Sequence, residues 1–121
     1  MNTVPTRQQR MAEAAFGRVT DRKKSGSGTV TTEYASFAKS FPALLQTAGL
    51  CQAVAFAQAK PGQASHVLAD VVTTMIDPGV PTVDTLAEVS RRAGPTEYLR
   101  LSRIALQAAS WIKRYVEALE K

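Results

Sequence analysis

Between Thr32 and Ala48, Phe37, Phe41, Leu44 and Leu45 recur at three- and four-residue steps, the spacing of one helix face. Gly49 then predicts the end of that helix, because a residue without Cβ reaches left-handed dihedrals at little cost. Leu50, Val54 and Ala57 restart the stripe, and Ala53, Ala55, Ala57 and Ala59 let a neighbouring backbone come close. From Gly49 to Ala59 a polar face is nearly missing. This segment should be covered on most sides, by its own fold or by a partner, and Leu50, Val54 and Ala57 are its candidate subunit-interface residues.

The same periodicity organises the rest of the chain. Thr6 to Lys24 reads as a first helix with Pro5 near its start, where a missing N–H costs little. Met11, Ala15, Phe16 and Val19 form its apolar stripe. Residues 25–30, opening on Ser-Gly-Ser-Gly, read as a flexible connection, and Thr31 or Thr32 should cap the second helix. Pro42 either kinks that helix or starts a new one after Ser40; a kink in a nearly continuous rod is the preferred reading. A third helix should run from Leu50 to Lys60 and close at Pro61-Gly62. Val67, Leu68, Val71, Val72 and Met75 point inward from a fourth, Ser65 to Ile76, followed by a turn-rich Asp-Pro-Gly-Val-Pro loop. A fifth, Thr82 to Ala93, is capped by Thr82 or Asp84. The sixth and longest, with Thr96 as its expected cap, repeats Leu101, Ala105, Ala108, Ile112, Tyr115 and Leu119 at steps close to a coiled-coil seam. No strand-period alternation of useful length and no internal repeat interrupt this, so the expected fold is all-α: a single domain over residues 1–121 with about five to six helices and short loops.

A length of 121 residues supports one core and not two. No apolar run approaches a bilayer span, and the first residues lack the apolar core of a signal peptide. The one cysteine, Cys51, cannot close an internal disulfide and suits a reducing compartment, so the expected location is cytoplasmic. The net charge of +5 is unevenly spread. Arg7, Arg10, Arg18, Arg22, Lys23 and Lys24 make the first 24 residues basic, the middle is acidic, and Arg100, Arg103, Lys113 and Arg114 belong to a basic C-terminal region. If the first and last helices pack side by side, these charges form one patch.

The stretch FPALLQTAGLCQAVAFAQAK, with WIKRYVEALEK far downstream, resembles the small α-helical subunit of type III-B (Cmr) CRISPR ribonucleoprotein effector complexes. Tyr34, Pro42, Leu44, Gly49, Leu50, Gln52, Ala55, Phe56, Trp111, Lys113 and Arg114 carry the likeness, and Ala48 departs from it, standing where an Asn is expected before the Gly. The resemblance implies a non-catalytic subunit that stacks in several copies beside repeated backbone subunits and a large subunit. It also implies contact with target RNA or the guide-target duplex, in antiviral defence, without a cofactor. The equivalent type III-A subunit has the same role and is the nearest alternative; a helical adaptor without nucleic-acid contact is another.

Phosphate recognition needs cations along one face, and arginine adds a forked donor geometry. The ten basic residues just named in the two terminal regions are therefore the candidate RNA contacts, against the alternative of a solvated charged face. Trp111 could stack on a base, but its place beside Ile112, four residues before Tyr115, reads first as packing. Ser65, His66 and Asp70 imitate parts of a catalytic triad. Ser65 and His66 are adjacent on a helix and point roughly 100° apart, so they do not face each other, while His66 and Asp70 should meet as a surface i,i+4 pair. One cysteine and one histidine cannot supply a zinc site without several carboxylates. The Gly-Ser-Gly-Thr run from Gly26 lacks the strand–loop–helix frame of a phosphate-binding loop. No catalytic or metal-ligating residue is expected.

Overall fold

The computed structural model describes residues 4–60 and 62–120. Pro61, expected to close the third helix, lies outside them. Six helices follow one another: α1 Arg7–Ser25, α2 Thr32–Ala48, α3 Leu50–Ala59, α4 Gln63–Met75, α5 Val83–Arg92 and α6 Pro95–Leu119. No strand occurs among the described residues, so the all-α reading holds.

Helix starts follow side-chain chemistry where an oxygen is available. Thr6 caps α1 in a full capping box, its hydroxyl accepting from the Gln9 N–H while the Gln9 side chain accepts from the Thr6 N–H. Thr31, not Thr32, caps α2, and Thr82, not Asp84, caps α5. Thr96 does not cap α6. The cap position falls two residues earlier, at Gly94, with Pro95 in the first turn, where its fixed φ is already helical. α2 runs unbroken through Pro42.

Gly49 serves at once as the end of α2 and the start of α3, at φ 86° and ψ 164°. This region is open essentially to glycine alone. A glycine offers no side-chain cap, and the Tyr98 hydroxyl from α6 takes that role in part, accepting from the Cys51 N–H at 3.0 Å.

α6 is the central element, touching α1, α2, α3 and α4, and α5 packs on α3 and α4. Its Leu101, Ala105, Ala108, Ala109, Ile112 and Val116 are fully buried. Against them lie Met11, Ala15 and Val19 of α1, Tyr34, Phe37 and Phe41 of α2, and Val67, Leu68, Val71 and Met75 of α4. Each buried Leu, Ile or Met contributes about 1.5–3 kcal/mol by leaving water. The alanines set how closely the axes approach.

One expectation about faces changes and another is narrowed. Phe16, on the apolar stripe of α1, is 43% exposed, its ring in a T-shaped contact with Tyr115. The α3 segment is not covered on most sides within the chain. Its inner face is buried, while Ala55, Phe56 and Ala59 are open to solvent.

Candidate nucleic-acid interface

α1 packs along α6. The Trp111 indole N–H donates to the Gln8 side chain at 2.7 Å, which brings the first turn of α1 against the second half of α6. The two basic segments therefore lie on neighbouring helices. The ten candidate cations nevertheless divide into two groups.

Four are engaged within the fold. Arg18 and Arg22, one helical turn apart, both reach Asp70 on α4. Arg18 Nε donates to Oδ1 at 3.0 Å, and Arg22 grips the carboxylate through Nε at 2.9 Å and Nη2 at 3.0 Å. The Tyr34 hydroxyl of α2 donates to Oδ2 at 2.5 Å. Asp70 is 1% exposed, so a charge that would be costly alone is surrounded by two guanidinium groups and a phenol. Arg7 donates to the Met75 carbonyl at 2.7 Å. Arg100 holds Glu97 with two hydrogen bonds and pairs with Asp77 at 3.0 Å. The Glu97 bonds push the Arg100 guanidinium up and hold the Glu97 carboxyl below the usual range.

Six are left open. Arg10, Lys23, Lys24, Arg103, Lys113 and Arg114 have no side-chain hydrogen bond or ion pair among the described residues. Lys23 and Lys24 stand in the last turn of α1, where positive charge also suits the helix dipole. Arg103 and Arg114 are eleven residues apart, about three full turns, and so share one face of α6 roughly 16 Å apart along its axis.

The expected His66–Asp70 surface pair is not made. Asp70 is buried in the arginine cluster, and His66 Nδ1 instead lies 3.1 Å from the Gln63 side chain. The Ser65 hydroxyl is spent on the Gly62 carbonyl at 3.0 Å. Among the described residues no group of three or more His, Cys, Asp or Glu side chains could hold a metal. No helix among them is long and apolar enough to cross a membrane.

Leu50, Val54 and Ala57 lie in the core of the chain itself, each at most 1% exposed, so they cannot present a surface to a partner. The open side of α3 instead carries Phe56, 51% exposed. Its ring is parallel to Phe37, centroids 6.2 Å apart, and Lys60 sits over it at 5.9 Å. These residues, with Ser36, Ser40 and Leu44, line a groove of about 690 Å3 between α2 and α3.

Sequence reasoning missed Tyr34 and Asp70 as a polar node. The available signal was a carboxylate between Val67 and Val71, on the inward stripe of α4, since a charge in such a place requires buried partners. The node gives Tyr34 a titration signature. Burial, and then the Asp70 charge and hydrogen bond, raise its phenol far above the usual range. An unfolded tyrosine ionises near pH ~10, so below that value both states hold the proton and nothing changes. Above it the unfolded chain loses the proton while the native chain keeps it, and stability falls. This group alone should cost about 1.4 kcal/mol by pH ~11. Urea midpoints measured between pH 9 and 11 should fall less steeply in Tyr34→Phe than in the parent chain; equal slopes would show a phenol that ionises as in water.

The family model described as CRISPR-associated protein (Cas_Cmr5) matches residues 7–119. The CRISPR system Cmr subunit Cmr5 of Thermus thermophilus is 36% identical over 114 residues, covering 94% of this chain and 96% of the relative. The crystal structure of a CRISPR-associated Cmr5 family protein from the same organism superposes with a TM-score of 0.86 at 34% identity, over 98% of this chain and 100% of the other. With its six helices and its motifs around Pro42, Gly49 and Trp111, the chain belongs to the Cmr5 family of CRISPR-associated proteins, the small helical subunits of type III-B effector complexes.

Proposed function

We infer that this chain is a non-catalytic small subunit of a type III-B CRISPR effector complex, and that it holds target RNA, or the guide-target duplex, through phosphate contacts in antiviral defence. The single observation that carries this reading is the set of cations along α1 and α6 that have no partner among the described residues, on helices that pack together. Cations left without internal partners are available to displace the counterions of a polyanion. Arg10, Lys23, Lys24, Arg103, Lys113 and Arg114 are the contacts; Arg7, Arg18, Arg22 and Arg100 hold the fold that carries them. Recognition is independent of base sequence, because phosphate contacts position a strand and do not read it. Several copies stack beside the repeated backbone subunits and the large subunit of the complex, in the cytoplasm. The stacking surface is the Phe37–Phe56 groove, because Leu50, Val54 and Ala57 are enclosed.

A salt titration of binding to a labelled single-stranded RNA of about 40 nucleotides, beside a duplex control, tests the reading. Six contacts at about −0.7 each predict a log–log slope near −4. No binding at low salt would refute phosphate holding and leave a helical adaptor that works through the α2–α3 groove.

A further inference from the structure

The geometry points to a base-stacking subsite on α6, built around Trp111, that takes one unpaired nucleobase of a single-stranded RNA. It rests on the RNA-holding reading above and adds to it a contact with a base, where that reading has phosphates only.

Trp111 is the one tryptophan of the chain. It is half-buried, and its ring is fixed from several directions. The indole N–H is committed to Gln8 at 2.7 Å. Tyr115 packs against the indole at 5.9 Å between centroids, 21° from parallel, and is itself braced by Phe16 at 5.5 Å in an edge contact. A ring immobilised before the ligand arrives loses little freedom on stacking, which leaves more of the contact energy as affinity.

Beside this ring lies a cavity of about 550 Å3 lined by Gln8, Leu106, Gln107, Ser110, Trp111 and Arg114. Each lining group suits a base carrying a phosphate. Leu106 supplies an apolar wall. The Gln107 amide and Ser110 hydroxyl have no side-chain partner among the described residues. An amide and a hydroxyl each offer donor and acceptor, so together they can satisfy a base edge without selecting one base. Arg114 is exposed and has no ion pair among the described residues, and Arg103 lies on the same helix face, where the strand would continue. Among the described residues no carboxylate lines the cavity to repel the strand. Packing alone accounts for the Trp111–Tyr115 contact. It does not account for unpaired amide, hydroxyl and guanidinium groups gathered round an open space beside the ring. Aromatic platforms flanked by cations are how proteins hold single strands with little sequence preference.

Because Trp111 is alone, its emission reports on the subsite directly. The full chain would be titrated with a single-stranded RNA of about 12 nucleotides and with an abasic strand of equal length and charge. Binding would be read separately from the anisotropy of a label on each strand. The RNA should quench Trp111 saturably, and the abasic strand should bind without quenching. Trp111→Ala should weaken RNA binding roughly 5- to 150-fold and leave the abasic strand unaffected. Ser110→Glu, at a part-exposed position and checked for an unchanged melting temperature, should abolish the quench even if Trp111→Ala folds poorly. RNA that binds while Trp111 emission stays constant, or an abasic strand that quenches equally, overturns the subsite and leaves phosphate holding intact. Failure of both strands to bind overturns the two together.

Discussion

Asp70→Ala should lower stability by about 3–5 kcal/mol, the range for removing one partner of a buried ion cluster. The carboxylate accepts from Arg18, Arg22 and Tyr34, so its loss removes an acceptor from three groups at once. The Tyr34 hydroxyl, in a residue 1% exposed, would be left without an acceptor, at a cost of about 1–3 kcal/mol. Arg22, its side chain only 22% exposed, would lose its carboxylate partner, while Arg18, 32% exposed, would keep only the more exposed Asp21 at 3.2 Å. The melting temperature should fall by roughly 10–25 °C. A second variant separates the cluster from the volume removed: Asp70→Leu with Arg18→Met, Arg22→Met and Tyr34→Phe deletes every polar partner together and should recover most of the stability. A drop below about 1 kcal/mol for Asp70→Ala would show that water, not the protein, satisfies these groups.

Replacing Arg10, Arg103, Lys113 and Arg114 by Ala should weaken RNA binding at about 50 mM salt on the order of a thousandfold. Each phosphate no longer neutralised takes about 0.7 from the log–log salt slope, so the slope should become shallower by roughly 3. The weakening should be alike for all RNA sequences, since these side chains do not read bases. None of the four has an internal ion pair among the described residues, so the melting temperature should stay near that of the parent chain. Arg91→Ala with Arg92→Ala, on α5, is the charge control: it lowers net charge with no assigned contact and should leave the slope unchanged. A quadruple variant that keeps the parent slope would place the contacts elsewhere.

Helix content was legible because the stripes were strong. Val67, Leu68, Val71, Val72 and Met75 all face inward, and the seam from Leu101 to Ile112 is buried along its length. The start of α6 was less so, because Thr96 offers a cap oxygen and Pro95 offers a preset φ, and the proline prevails by beginning the helix first. The cation set was the hardest part. Arg10 and Arg18 look alike in sequence, and only the fold brings Asp70, 52 residues away, to Arg18. Leu50, Val54 and Ala57 marked an apolar face correctly, but a stripe does not say whether the chain or a partner covers it. Phe56, on the other side of the same helix, is the residue that the fold leaves open.

The ties that hold α1 have a consequence for synthesis. The helix is made before α4 and α6, yet its polar contacts lie at Asp70, Met75 and Trp111. At about 5–20 residues per second, the N-terminal segment waits several seconds on the ribosome before its last partner emerges. Through that interval the Thr6–Gln9 capping box is its chief local support, and a lone helix of this length is marginal in water. A helix translated well before its partners is therefore among the last to lock, and the nascent chain meets the cell with its arginine-rich helix still undocked.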